Sequence, residues 1–170
     1  MNVLITGGAG FIGSHLVERL LSDGYGVNVL DDLSTGTYDN ISHCTSSRDF
    51  KFTLGSILDG ELVNRLVSAC DQVYHLAAAV GVKYILENPV ETIRINTVGT
   101  ENILHSCSNY GKKVMITSSS EVYGKAMRNR PDDDGLDEES ESVFGSTSIK
   151  RWSYATSKAL DEFLALAYHT

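Results

Sequence analysis

Tyr154 and Lys158 stand four residues apart in the stretch RWSYATSK (151–158), a spacing that puts both on one face of a helix. A phenol with an ordinary pKa of about 10 is a poor base at neutral pH. An ammonium beside it favours the phenolate and lowers that pKa. The pair could therefore draw a proton from an alcohol. A second polar run, SSSEVYG (118–124), offers three hydroxyls and a carboxylate that could orient such an alcohol. Near the start of the chain lies GGAGFIG (7–13). Gly7 permits a tight turn, Gly10 lets the backbone approach a pyrophosphate, and Gly13 allows close packing of a following helix. The N-terminus of that helix presents N–H groups and a positive dipole end to phosphates. Asp31 and Asp32 follow, with Asp31 18 residues beyond Gly13. A carboxylate there accepts hydrogen bonds from a ribose and repels a 2′-phosphate. No lysine or arginine lies between Arg19 and Arg48 to bind such a phosphate. The expected cofactor is NAD rather than NADP.

These groups need elements to hold them. Residues 3–6, Gly26–Asp31, Phe50–Leu54, 72–76 and 114–117 read as buried strands. Phe11–Ser22, residues 61–69 behind an Asp59 N-cap, 89–110 behind Pro89, and 152–167 read as helices. In the last helix Ala155, Ala159, Phe163 and Leu166 share one side. Residues 32–49 read as an irregular loop and 125–150 as an acidic surface insertion. Alternating strands and helices imply right-handed βαβ units, a parallel sheet covered on both faces, and a site beyond the carboxyl ends of the strands.

Composition sets the outer bounds. The chain has 170 residues, 42% hydrophobic and 21% charged, enough for one domain. Its net charge is −8, and seven acids crowd into residues 131–141, leaving the remainder near neutral. No basic face suggests nucleic acid. No apolar run approaches the roughly 20 residues that span a bilayer, and the opening MNVLI leads straight into glycines. A cytoplasmic protein is expected. Cys44, Cys70 and Cys107 are widely separated and read as free thiols; no metal site is expected, the adjacent His43-Cys44 pair included.

Six motifs in order, TGGAGFIG (6–13), LDDLSTG (30–36), HLAA (75–78), INTVGT (95–100), SSSEVYG (118–124) and RWSYATSK (151–158), make the chain resemble the extended short-chain dehydrogenase/reductases, in the nucleotide-sugar epimerase and dehydratase branch. The resemblance implies a Rossmann-type doubly wound sheet with strand order 3-2-1-4-5. It implies that Gly7, Gly10, Phe11, Ile12 and Gly13 form the pyrophosphate loop, and that Asp31, Asp32, Ser34, Thr35 and Gly36 lie near the adenosine. Ser56 and Ile57 stand where the family usually places an adenine-recognising acid. Leu76, Ala77, Ala78 and Asn96 match cofactor-lining positions. Ser119 matches the catalytic hydroxyl, Tyr154 the base and Lys158 its partner. Gly81, Val82, Lys83, Ser120 and Glu121 lie where the family touches the sugar. Relatives carry a substrate domain in their second half, so residues 1–170 are expected to be the NAD-binding domain alone. The implied activity is transient oxidation of a nucleotide sugar at C4, with a UDP-sugar 4-epimerase favoured and a dehydratase or UDP-glucuronate decarboxylase as alternatives. A cofactor-binding module without turnover is the reading from another class. The family also implies a homodimer through helices 89–110 and 152–167.

Overall fold

The computed structural model describes residues 1–126 and 135–169. Five parallel strands, β1 (Asn2–Thr6), β2 (Gly26–Asp31), β3 (Phe50–Leu54), β4 (Gln72–His75) and β5 (Lys113–Ile116), form one sheet in the order β3-β2-β1-β4-β5. β1 is central, with Val3 level with Val27 on one side and with Gln72 on the other. Successive side chains of a strand point to opposite faces, so β1 serves two cores. Val3 and Ile5 join Val17 and Leu20 of α1 (Phe11–Ser22) with Val27 and Val29. Leu4 joins Leu62, Val63 and Val67 of α2 (Gly60–Ser68), together with Leu30, Val73, Ile103 and Cys107. Strands buried on both faces have no alternating pattern, which is why β1 reads as a continuous apolar run.

α2 begins where the sequence places it: the Asp59 carboxylate accepts a hydrogen bond from the Leu62 N–H at 3.0 Å. Such a cap contributes about 1 kcal/mol. Between β4 and β5 the structure departs from the expected single helix. A short α3 (Val82–Glu87) precedes α4 (Pro89–Arg94), which runs through a π turn (Ile95–Gly99) into α5 (Thr100–Asn109). The loop after β2 is likewise not featureless, with 3-10 turns at Tyr38–Asn40 and Ser42–Ser46. After β5 comes another 3-10 turn (Ser120–Tyr123), and α6 (Trp152–His169) closes the described fold. In α6 the expected apolar side is split. Ala155 and Ala159 are buried, whereas Phe163 and Leu166 are 72% and 67% exposed.

The three cysteines are free and buried. The insertion at 125–150 is described only outside 127–134; its described remainder pairs once with the main body, through a bridge between Gly124 and Val143. Among the described residues no helix is long and apolar enough to cross a membrane.

Candidate active site

A cleft of about 400 Å³ opens at the carboxyl ends of the strands, where a parallel sheet with helices on both faces leaves a crevice. Its floor is the turn from β1 into α1. Gly7 has φ +73°, and a Cβ on it would lie 2.7 Å from the Ala77 nitrogen. A Cβ on Gly13 would lie 2.2 Å from the Gly7 carbonyl oxygen. Only glycines let this loop fold so tightly on itself and on the end of β4. Gly10 caps α1 with no side-chain hydrogen bond to its first turn. Unsatisfied N–H groups therefore face outward at the positive end of the helix, beside Phe11 and Ile12, which are 79% and 66% exposed.

Gly7, Gly10, Phe11, Ile12 and Gly13 all line the cleft, as do Asp31, Asp32, Ser34, Thr35 and Gly36. Asp31 is buried and already anchored. Its Oδ2 accepts from the Ala9 N–H and its Oδ1 from the Leu33 N–H, both at 2.9 Å. Each carboxylate oxygen keeps a second lone pair for a ligand. Ile57, Leu76, Ala77 and Ala78 line the cleft as well. Ser56 does not line the cleft; its hydroxyl accepts from the Leu58 N–H at 3.3 Å. Asn96 is fully buried in the π turn, also away from the lining. Its Oδ1 accepts from the Ala79 N–H at 2.8 Å, and its Nδ2 donates to the Ser157 hydroxyl at 3.1 Å. It thus ties the wall after β4 to α6. π turns of this kind recur where an α-helix must present a side chain out of its regular register.

Tyr154 and Lys158 enter the cleft from α6, beside Thr117 and Ser118 at the end of β5. Ser118 donates a hydrogen bond to Glu162. The Ser119 hydroxyl accepts from the Glu121 N–H at 3.2 Å, and its polarity beside Tyr154 eases ionisation of the phenol. Burial acts more strongly and raises the Tyr154 pKa above 10.0, with the Glu121 and Asp161 charges pushing the same way. That corrects the expectation from spacing alone. The Lys158 Nζ is 2.8 Å from Asp161 Oδ2, so its charge is met by a carboxylate before it can act on the phenol.

Ser120 and Glu121 lie in an adjoining recess of about 140 Å³, with Gly124, Arg151 and Trp152. Arg151 reaches Glu121 at 3.3 Å, and Lys125 and Arg151 stand 5.9 and 5.2 Å from the Trp152 ring. Gly81, Val82 and Lys83 are exposed at the start of α3 and line neither space. Sequence reasoning missed Val80 and Tyr84, which line the cleft around that same helix, and Gly55 and Thr117; Ser118, one of the three hydroxyls of the 118–124 run, lines it as expected. Gly55 and Thr117 adjoin the carboxyl ends of β3 and β5, a position the topology alone would have marked.

The GDP-mannose 4,6 dehydratase family model matches residues 4–170. A UDP-N-acetyl-alpha-D-glucosaminuronate decarboxylase of Bacillus cytotoxicus is 42% identical over 165 residues, covering 97% of this chain and 49% of the relative. UDP-glucuronic acid decarboxylase 1 of Xenopus tropicalis is 34% identical, covering 98% of this chain and 37% of that one. Among solved structures, a Thermus thermophilus UDP-glucose 4-epimerase in complex with NAD superimposes with a TM-score of 0.80 at 35% identity, over 99% of this chain and 50% of that one. The chain thus spans half or less of the length of the relatives named here.

Proposed function

The chain belongs to the GDP-mannose 4,6 dehydratase family of nucleotide-sugar enzymes, and from that premise we propose that it binds NAD in the cleft and serves the transient oxidation of a nucleotide sugar at C4. The observation that carries this reading is the meeting, in one cleft, of the glycine loop, Asp31, Tyr154 and Lys158. The fit to NAD rests on the same features. The uncapped α1 N-terminus suits a pyrophosphate, and Asp31 suits a ribose diol and disfavours a 2′-phosphate. Among the described lining residues Lys158 is the single lysine or arginine.

NAD would supply the acceptor for the C4 hydride and return it in the branches that end in reduction. The protein's residues handle the proton. Ser119 orients the C4 hydroxyl, and Tyr154 accepts its proton as the carbonyl forms. Lys158 holds the cofactor ribose. Holding the three groups together replaces an encounter of separate species. With Tyr154 raised by burial, the free protein is poised with its base protonated at neutral pH. Binding of a cation beside the phenol would favour the phenolate.

For the outcome at C4, loss of the C6 carboxyl from a UDP-uronate is the favoured reading. The two curated relatives are decarboxylases, and a 4-keto group activates that carboxyl. Arg151, which lines the recess of Ser120 and Glu121, is the cation there that a substrate carboxylate would draw from its pairing with Glu121 at 3.3 Å. UDP-sugar 4-epimerisation, the outcome favoured by the sequence, is the second reading, supported by the likeness to the Thermus enzyme. Ser120-Glu121 lacks the aspartate that a dehydratase would place after Ser119. A homodimer through α4–α5 and α6 belongs to the same proposal. Val90, Ile93, Leu160, Phe163 and Leu166 form exposed apolar surface on these helices, an area that a second copy would cover.

The test is to incubate the protein at its full translated length with NAD⁺ and UDP-glucuronate, UDP-N-acetylglucosaminuronate, UDP-glucose or UDP-N-acetylglucosamine, with products identified by NMR. A UDP-pentose or its N-acetylated counterpart, with CO₂ release, supports decarboxylation; inversion at C4 supports epimerisation. Tyr154→Phe is expected to lower either rate by orders of magnitude and to leave NAD⁺ affinity nearly intact. NAD⁺ binding without conversion of any sugar leaves the cofactor-module reading.

A further inference from the structure

Ala9 lies in the middle of the glycine loop and is fully buried. Its N–H donates to Asp31 Oδ2 at 2.9 Å. Its carbonyl oxygen accepts from the Asn40 Nδ2 at 2.8 Å and from the Thr37 N–H at 3.2 Å. A carbonyl oxygen has two lone pairs, so two donors fill it. Because that oxygen can only accept, the Asn40 amide must turn its nitrogen toward it. The carbonyls of Gly7 and Gly10 find partners close by, in the N–H groups of Gly10 and Ser14 at 3.2 and 3.0 Å. That of Ala9 depends on the loop after β2, and in part on a side chain 31 residues away.

This loop lies flat on the glycine loop. A Cβ on Gly36 would be 2.9 Å from both the carbonyl carbon and the oxygen of Ala9. The loop has anchors of its own. The Leu33 N–H is held by Asp31 Oδ1, and Ile41 and Cys44 are 0% and 6% exposed in the same core cluster as Ala9. The Asn40 side chain is no part of that core: the residue is exposed, and its amide reaches back to one buried carbonyl. Gly10, Phe11 and Ile12 line the cleft, whereas Ala9, Thr37 and Asn40 do not.

The direction of that carbonyl matters to an anion. A peptide group has a positive N–H end and a negative C=O end. Ala9 immediately precedes Gly10, the N-cap of α1. Turned into the cleft, its carbonyl would set a negative partial charge beside the free N–H groups that suit a pyrophosphate. We infer that Asn40 is a positioning residue of the pyrophosphate loop: together with the Thr37 N–H, its side-chain amide holds the Ala9 carbonyl out of the cleft, away from the cofactor's phosphates. The inference rests on the reading that the cleft takes NAD. The segment after β2 then serves the cofactor twice, through the Asp31 carboxylate at its start and through an amide that never touches the ligand. A loop fixed before binding also loses less entropy when the ligand arrives.

Two measurements on this chain test the inference. The first needs no ligand. In Asn40→Ala the ¹³C signal of the Ala9 carbonyl should move upfield, as a carbonyl's does when it loses a donor; Ile41, Cys44 and the Thr37 N–H keep the loop in place. An unmoved signal overturns the inference. The second is a set of affinities by NMR titration. Asn40→Ala should weaken NAD⁺, ADP-ribose and ADP by about fivefold each, the scale of one neutral hydrogen bond, and leave adenosine, which has no phosphate, unchanged. An equal loss for adenosine would mean that Asn40 only holds the loop together, and an unchanged NAD⁺ affinity that the carbonyl keeps its place without it; either overturns the inference. Should Asn40→Ala unfold, Asn40→Leu keeps the side-chain volume without the donor and should show the same split between the phosphate ligands and adenosine. A wild-type chain that binds none of these ligands would overturn the proposed NAD site itself, whereas wild-type binding with no loss in the variants counts against the role of Asn40 alone.

Discussion

His75 shows how much one buried side chain can carry at a distance from any ligand. In the unfolded chain it titrates near its ordinary 6.5; in the folded protein burial lowers that to about 3. Between these values the unfolded state holds one more proton than the native state, so this group's contribution is complete above pH 6.5 and is lost as pH falls toward 3. The slope is about 1.4 kcal/mol per pH unit for one proton. Urea unfolding at a series of pH values should show His75→Gln with a pH dependence shallower than wild type by that amount across this window. An identical slope would mean that His75 is protonated in the folded protein. The glycines, Asp31, Tyr154 and Lys158 were legible because their chemistry is tied to local spacing. Asp161 was not: its partner Lys158 is close in sequence, but nothing in that spacing marks the pair as buried.

Elements with one strong local signal were placed closely by the sequence. Phe11–Ser22, Gly26–Asp31 and Phe50–Leu54 match the structure to the residue, because glycine turns and buried apolar runs mark their ends. α3 was missed because six residues between Gly81 and Pro89 are too short to show a period. The π turn was missed because INTVG has no composition that distinguishes it from α-helix. The loop from β1 to α1 gives the test at this scale. A Cβ on Gly13 would sit 2.2 Å from the Gly7 oxygen and 2.7 Å from the Gly8 Cα, both backbone atoms that cannot swing aside. Gly13→Ala should cost about 1–3 kcal/mol of stability, as overpacking does, and weaken NAD⁺ by more than that loss of stability alone explains. Thermal melts paired with calorimetric titration would separate the two; unchanged values for both would show that the loop relaxes freely.

At the scale of the whole molecule the exposed apolar stripe on α6 is the feature a monomer would not keep. Phe163→Glu places a charge at its most exposed residue, 72% open to solvent. Light scattering should then report a shift from dimer toward monomer with the melting temperature of the isolated fold little changed; a wild-type chain that is monomeric at high concentration would remove the dimer from the proposal. The sequence marked Phe163 and Leu166 as one side with Ala155 and Ala159, yet periodicity cannot distinguish a stripe that faces the sheet from one that faces a neighbour. The helix beside α6 carries a different constraint, one of phase. A π turn holds one residue more than an α-helical turn, and each residue of a helix advances about 100°. The surplus residue in Ile95–Gly99 sets the phase between α4, which turns Val90 and Ile93 outward, and α5, which buries Ile103 and Leu104. Losing any one residue there, even the exposed Val98, would bring the two halves into a common register and turn one face away from its task. Val98 can therefore vary in identity, whereas the number of residues in the stretch cannot change.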